Sequence, residues 1–302
     1  MKYFITGSTG FIGSSLSLKL AREGHTVNAL VRSRQKAHHL NHPNVQLYYG
    51  TLQDSDRLEE AIDGTDGIFH LAAYAQPWAK RSETYNEINA KATRRIYEIA
   101  EAKGVPRIVF TSSAGTIGPS DNNTPVDEET VRSVDFFNEY ESTKFIAEKI
   151  TKDFVLRGMH IVVVHPSRVY GPGLLSKSNA VTMMIKNYIS GKWRIIPGDG
   201  SKMGNYAYIT DVVEGHLLAM NKGIKGEQYI LGGENASYSH FFTLLKQISN
   251  KKYLLFKIPV WALVAFAAIQ MQLARFFGKT PLLPPKWVKK YLYDWSVSSN
   301  KA

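Results

Sequence analysis

The chain predicts an α/β fold: a doubly wound parallel sheet carrying a smaller C-terminal lobe. Three observations predict it. Strand-length apolar runs alternate with helical patterns through residues 1–165, and a glycine-rich turn joins the first strand to the first helix. After Pro166 the alternation breaks, and Pro172, Pro197, Pro259, Pro281, Pro284 and Pro285 punctuate shorter elements. With 302 residues, 44% hydrophobic and 21% charged, the chain is long enough for one such domain plus a lobe and reads as globular, not disordered.

Taken in order, Lys2–Thr6 is a short apolar strand and Phe11–Arg22 a helix. Thr26–Val31 and Val45–Tyr49 are the second and third strands, followed by a short helical stretch near Asp56–Ile62, for which Asp54 is the expected cap. Gly67–Leu71 is the fourth strand, and Glu83–Ala102 a long helix. Arg107–Thr111 and Ile161–His165 are the fifth and sixth strands, with helix Phe136–Arg157 between them. This rhythm places the ligand crevice at the carboxyl ends of the strands. In the second half, Asp211–Met220 is helical and Gln228–Leu231 a strand, Asp211 being a cap or brace with no chemistry assigned. Residues 166–302 are read mainly as a substrate-binding lobe, with some elements packing back on the core.

The net charge is +11 and cysteine is absent. The basic residues read as spread along the chain, which argues against a nucleic-acid partner. The absence of cysteine excludes disulfides and thiolate metal sites, and no leader pattern precedes the first strand, so the expected compartment is the cytoplasm. His38, His39 and His42 lack partners at ligand spacing and read as a surface loop, so no metal is expected. Ile258–Ile269 is apolar but far shorter than the roughly 20 residues a spanning helix needs. It reads as a buried or substrate-covering helix, with peripheral membrane contact as the alternative. Lys286–Tyr291 mixes bases and aromatics and reads as an amphipathic surface helix.

The segment Thr6-Gly7-Ser8-Thr9-Gly10-Phe11-Ile12-Gly13 lies between the first strand and the first helix. Gly7 permits the tight turn, Gly10 lets backbone amides approach a pyrophosphate, and Gly13 lets the helix lie against the strand. Residues 1–165 therefore read as a dinucleotide-binding domain of Rossmann type. Where an NAD site usually places an acid after the second strand, this chain has Arg32, Ser33 and Arg34. Arg32 can offer a planar fork to a 2′-phosphate, with Ser33 or Arg34 assisting, so NADP is the expected cofactor and NAD the lesser choice.

The fifth strand runs into Ser112 and Ser113, hydroxyls at a strand's carboxyl end. The helix that follows carries Tyr140 and Lys144, whose i, i+4 spacing puts them on one face. A neighbouring ammonium stabilises a phenolate and is expected to bring Tyr140 toward working range as an acid–base group. Ser113 can hydrogen-bond a substrate oxygen beside it.

Together these residues resemble the extended short-chain dehydrogenase/reductases of the NAD-dependent epimerase/dehydratase family. The likeness is carried by the Thr6–Gly13 loop, His70-Leu71-Ala72-Ala73, Asn89, Ser112-Ser113, Tyr140/Lys144 and the run His165 to Pro172. The resemblance implies that Ser113 positions the substrate carbonyl, Tyr140 is the acid/base and Lys144 binds the nicotinamide ribose. It also places Gly7, Thr9, Gly10, Phe11, Ile12, Gly13, Leu71, Ala72 and Ala73 at the cofactor, with Pro166 and Val169 beside the nicotinamide amide. Family members often pair through the Tyr/Lys helix, so a homodimer is the assembly it implies. Two positions depart from the family. Thr51 stands where an adenine-contacting aspartate is common, and Gly204-Asn205 fill the place of the Arg-Asp pair with which nucleotide-sugar enzymes grip a diphosphate. The chain thus looks more like the dihydroflavonol-reductase and 3β-hydroxysteroid-dehydrogenase branch. The expected function is NADP(H)-dependent reduction of a ketone, or oxidation of the alcohol, on a largely apolar small molecule. The alternatives are a nucleotide-sugar epimerase/dehydratase and a non-catalytic NADP-sensing protein.

Overall fold

The computed structural model describes residues 1–121, 124–175, 179–277, 280–281 and 284–302. The strands of the first half other than the edge strand Val45–Tyr49 are buried on both faces, so each face needs its own helical cover. The strands are β1 (Lys2–Thr6), β2 (Thr26–Val31), β3 (Val45–Tyr49), β4 (Gly67–His70), β5 (Ile108–Thr111) and β6 (Ile161–Pro166). A later strand, β10 (Gln228–Leu231), pairs with β6, giving a seven-stranded sheet ordered β10-β6-β5-β4-β1-β2-β3. Every pairing in it is parallel.

The helices of this half are α1 (Phe11–Arg22), α2 (Ser55–Ile62), α3 (Glu83–Asn86), α4 (Ala92–Ala102), α5 (Ala114–Ile117) and α6 (Glu139–Leu156). Strand residues alternate between two cores. Tyr3, Ile5, Val27, Ala29, Phe69, Val109 and Val162 meet α1 and α8 (Ile209–Lys222). Phe4, Leu30, Ile68, Ile108, Phe110 and Val163 meet α2, α4 and α6. Fully burying each such side chain contributes about 1.5–3 kcal/mol. Two later elements, β10 and α8, thus build the first-half layers.

Asp54 caps α2 by accepting from the Arg57 N–H at 3.1 Å. Asp211 is not a cap: α8 begins at Ile209, and Asp211 falls in its first turn, where a carboxylate favours the positive end of the helix. The single helix expected over Glu83–Ala102 is interrupted. A π-helical turn, Glu87–Lys91, separates α3 from α4.

The remaining elements form the lobe. They are β7 (Arg168–Tyr170), α7 (Ala180–Ile189), β8 (Ile195–Pro197), β9 (Met203–Tyr208), β11 (Glu234–Ser237), α9 (Tyr238–Ser249), β12 (Phe256–Ile258), α10 (Val260–Phe276) and α11 (Pro285–Val288). They build a three-stranded sheet ordered β11-β9-β7 and a β12-β8 pair around a core that includes Tyr188, Tyr206, Tyr238 and Phe242.

One surface reading needs correction. The segment Ile258–Ile269 begins in β12 and runs from Val260 into α10, which buries only a narrow stripe through Val260, Ala267 and Ala274. Its opposite face leaves Trp261 76% and Phe276 84% exposed, with Phe266, Ile269 and Leu273 also exposed. The bases are spread along the chain as expected, but the acids are not: between Glu234 and Asp294 the sequence has no acidic residue, while it carries Lys246, Lys251, Lys252, Lys257 and further bases. Among the described residues no helix is long and apolar enough to cross a membrane.

Candidate functional site

The parallel sheet brings nearly all the expected site residues to one edge, because they follow the carboxyl ends of β1, β2, β4, β5 and β6. The chain departs to opposite sides at β1, between β2 and β4, which is where a crevice opens in such sheets. Gly7 has φ +76°, and a Cβ there would stand 2.8 Å from the Ala72 nitrogen. A Cβ on Gly13 would stand 2.3 Å from the Gly7 carbonyl oxygen. Both glycines are therefore required by close backbone approach, and Gly10 begins α1 with no side-chain cap on its N–H groups. Thr9, Gly10, Ile12, Leu71, Ala72 and Ala73 are partly exposed along this edge, with Phe11 buried beneath it. Pro166 ends β6, and Val169 lies within β7.

After β2, Arg32 and Arg34 are exposed and Ser33 partly so. Neither arginine has an ion-pair partner among the described residues, and His39 nearby is pushed below the usual imidazole range by burial and by His38.

A buried polar relay ties the loop after β4 to α6. The Ala72 N–H donates to Thr6 Oγ1 at 3.1 Å, Thr6 Oγ1 lies 2.7 Å from His70 Nδ1, and His70 Nε2 lies 2.9 Å from Thr93 Oγ1. Thr93 in turn donates to the Asn89 carbonyl at 2.7 Å. With Thr93 donating onward, the chain runs in one direction if His70 is neutral with its proton on Nε2. Burial and, second, Lys144 push His70 down to about 3, so the neutral ring holds at physiological pH. Asn89 sits in the π-helical turn, accepts from the Tyr74 N–H at 2.7 Å and donates to Thr143 Oγ1 at 3.0 Å. The wider turn lets this side chain bond α6.

Ser113, after β5, stands close enough to Tyr140 of α6 to favour its phenolate, whereas Ser112 bonds Glu148. Lys144 is 1% exposed; its Nζ has no hydrogen-bond partner and stands 4.0 Å from the Phe110 ring centroid. Burial lowers Lys144 to about 7, with Glu148 opposing. Tyr140 moves up, not down: loss of hydration pushes it to about 12, against the Ser113 hydrogen bond. The expected lowering by Lys144 does not appear, because desolvation of both groups outweighs the i, i+4 proximity.

This orphaned ammonium is a direct test of whether the site suits a dinucleotide. Lys144 Nζ needs acceptors, and the Gly7–Gly13 turn presents N–H groups along the same sheet edge. Ribose hydroxyls and a pyrophosphate supply what each lacks, so the residues fit the group.

Several residues of the site escaped sequence reasoning. Glu141, the residue after Tyr140, is fully buried and accepts from Arg132 Nη2 at 3.0 Å, Lys290 Nζ at 2.6 Å and the Phe137 N–H at 3.1 Å. Asn138 caps α6 by accepting from the Glu141 N–H at 2.9 Å and donates to Oε1 of that residue at 3.1 Å. The Asn-x-x-Glu spacing was a readable capping signal. Nothing local announced Lys290, which is no surface-helix residue: it lies in a short 3-10 turn after α11 and reaches back to α6.

Gly204 also differs from expectation. The space its missing side chain leaves holds the guanidinium of Arg168, whose Nη1 would be 2.3 Å from a Cβ there. The fork absent at that position is thus presented from the neighbouring strand, β7, paired in parallel with β9.

Comparison with known proteins agrees with this geometry. The profile of the NAD dependent epimerase/dehydratase family matches residues 3–232. A dihydroflavonol 4-reductase of Gerbera hybrida is 30% identical over 84% of this chain and 74% of its own length. A 3 beta-hydroxysteroid dehydrogenase/Delta 5→4-isomerase of Mycobacterium tuberculosis is 29% identical over 100% of this chain and 84% of its own. Among solved structures, UDP-glucose 4-epimerase from Thermotoga maritima, with UDP-glucose, superposes with a TM-score of 0.77 at 26% identity, covering 86% of each chain.

Proposed function

The chain belongs to the NAD dependent epimerase/dehydratase family and is an NAD(P)-dependent oxidoreductase of the extended short-chain dehydrogenase/reductase type; from that premise we propose that it is an NADPH-dependent reductase of a ketone on a largely apolar small molecule. The observation that carries this reading is the orphaned Lys144 ammonium one turn along α6 from Tyr140, with Ser113 beside the phenol. A protonated phenol beside a serine hydroxyl can give a proton to a carbonyl oxygen as hydride reaches the carbonyl carbon.

When bound, the cofactor supplies the hydride to the carbonyl carbon. Ser113 donates to or orients the carbonyl oxygen, Tyr140 gives it the proton, and Lys144 holds the ribose through its unpaired Nζ. Backbone at Pro166 and Val169 meets the nicotinamide amide, and Leu71, Ala72 and Ala73 line the pyrophosphate side. Arg32, with Ser33, takes a 2′-phosphate, which favours NADPH over NADH because no acid stands after β2. Residues 166–302 provide most of the substrate contacts.

Two partners complete the proposal. The exposed apolar face of α10, in a segment without acidic residues, suits peripheral contact with an anionic lipid surface, where an apolar substrate would also reside. Pairing of two copies across α6, where Ile146 is 43% exposed, is the proposed assembly.

The test is oxidation of NADPH and NADH by purified protein with aryl, flavanone and steroid ketones, run beside UDP-glucose. Tyr140→Phe should bind NADPH as the parent does and lose about 10²- to 10⁴-fold in kcat. Near-parental turnover by that variant, or activity confined to UDP-glucose, would overturn the reading.

A further inference from the structure

Arg132 stands in the chain between α5 and α6, and its guanidinium spends every donor it has. Nε donates to the Val134 carbonyl at 2.8 Å. Nη1 donates to the carbonyls of Gly115 at 2.6 Å and Thr116 at 3.3 Å. Nη2 donates to the Asp135 carbonyl and to Glu141 Oε2, each at 3.0 Å. The guanidinium also lies 4.4 Å from the Phe136 ring centroid, and the side chain is 11% exposed. Gly118 makes room for the stem: its φ is +120°, and a Cβ there would stand 3.1 Å from Arg132 Cγ.

Most of these bonds do not serve charge compensation, because they end on backbone carbonyls. Glu141 has other partners: Lys290 Nζ and Asn138 Nδ2 on Oε1, and the Phe137 N–H on Oε2. The carbonyls belong to two segments. One opens with Ser113, the N-cap of α5, whose Oγ accepts from the Gly115 N–H at 3.1 Å and whose carbonyl accepts from Thr116 Oγ1 at 2.7 Å. Gly115 and Thr116 thus bond Ser113 on one side and Arg132 on the other. With the Gly115 N–H on its oxygen, Ser113 keeps its hydroxyl proton for a ligand oxygen. The second segment, Val134 and Asp135, leads into α6, whose first turn carries Tyr140 beside Glu141. A planar fork bonded to both segments fixes one against the other.

We propose that Arg132 is a positioning residue of the reduction: its fork sets the separation between the Ser113 turn and the first turn of α6, so that Ser113 and Tyr140 converge on one carbonyl oxygen. It acts through these two segments and needs no contact with substrate or cofactor. A lysine has three donors on a flexible stem, so it could keep the ion pair with Glu141 but not span the carbonyls of both segments. Displacing a reacting group by about 1 Å costs on the order of 10²-fold in rate. None of the fork's bonds goes to the glycine turn or to Lys144, so the loss falls on kcat and spares the cofactor. The inference rests on the reading of Tyr140 as the acid and Ser113 as the orienting hydroxyl.

The experiment measures kcat and KM with NADPH and the best ketone of the aryl, flavanone and steroid panel, NADP affinity by calorimetry, and the Cζ NMR resonance of isotope-labelled Tyr140, assigned by its loss in Tyr140→Phe. Arg132→Lys should melt close to the parent, bind NADP as the parent does, and lose about 10- to 100-fold in kcat with KM little changed. Arg132→Ala should lose at least as much. Guanidinium ion at tens of millimolar should restore part of its kcat saturably, where methylammonium or sodium chloride at the same concentration does not. The Tyr140 resonance should move in Arg132→Ala and return with guanidinium. Parental kcat in Arg132→Lys overturns the proposal. Rescue by methylammonium equal to that by guanidinium also overturns it, since charge alone would then suffice. A fall in kcat matched by an equal fall in NADP affinity overturns it too, making Arg132 a residue of the fold at large. Should the parent reduce no ketone, the resonance decides: a shift reversed by guanidinium upholds the positioning and sinks only the reductase reading, and an unmoved resonance sinks both.

Discussion

At Lys144 the cofactor's role can be read from a protein side chain. Its ammonium is 1% exposed with no acceptor, and burial brings its pKa from 10.5 to about 7. Between those two values the unfolded chain binds one more proton than the folded chain, so stability rises with pH through that window and is lowest below pH 7. The shift corresponds to a penalty on the order of 3–5 kcal/mol on the acid side. Lys144→Met keeps the packing against Phe110 and removes the charge. The cofactor-free variant should therefore be more stable than the parent at pH 6, with the difference shrinking as pH approaches 10. Urea melts at several pH values read this directly, and a difference independent of pH would mean that Lys144 is not penalised by burial. The same variant should bind NADP more weakly, so one residue trades apo stability for cofactor affinity. Sequence spacing had put Tyr140 and Lys144 on one face correctly, but the sign of Tyr140's shift was not legible. It depends on the burial of the phenol and not on the i, i+4 pair.

At the scale of elements, α6 holds its register through its first turn. Asn138 and Glu141 form a reciprocal cap, and the Glu141 carboxylate also gathers Arg132 and the distant Lys290. Tyr140 lies inside that cap, so its direction is fixed by the same bonds. Glu141→Gln keeps the shape and the hydrogen bond to the Phe137 N–H but leaves two partly buried cations without a counter-charge. Breaking a buried pair in this way costs about 3–5 kcal/mol. The variant should melt earlier and lose kcat more than cofactor affinity, because the glycine turn and α1 are untouched. Unchanged melting and unchanged kcat together would show that the cap does not position the phenol. The π-helical turn works alongside it, directing Asn89 at Thr143. The cap was readable from Asn-x-x-Glu, whereas the π-turn and Lys290 were not: helical periodicity cannot register one extra residue in a turn, and no local pattern marks a contact across 149 positions.

The whole molecule divides into a half that its sequence declares and a half that it does not. Strands covered on both faces give continuous apolar runs, such as Ile161 to Val164, so the parallel sheet was legible strand by strand. The lobe uses three-residue strands, β7, β8 and β12, held by aromatic packing between distant residues such as Tyr206 and Phe241, and such strands are too short to show a period. Charge and exposure become informative only when combined in this half. A net charge of +11 alone names no partner, but the acid-free stretch from Asn235 to Tyr293 includes the helix that leaves Trp261, Phe266, Ile269, Leu273 and Phe276 outward. Scattered single apolar residues are ordinary on a surface, but a continuous helix face of large ones is not. Beside lysines, it matches the two requirements for shallow binding to anionic lipid: apolar area to bury and positive charge to attract. The protein should sediment with vesicles containing phosphatidylglycerol more than with pure phosphatidylcholine, and added salt should weaken the binding. Trp261→Ala/Phe266→Ala should reduce it while leaving NADPH affinity and turnover of a water-soluble ketone as they were. Vesicle binding indifferent to both lipid charge and these substitutions would leave α10 to another occupant. A second copy of the chain is the first to examine, through the mass of the parent and the variant in solution.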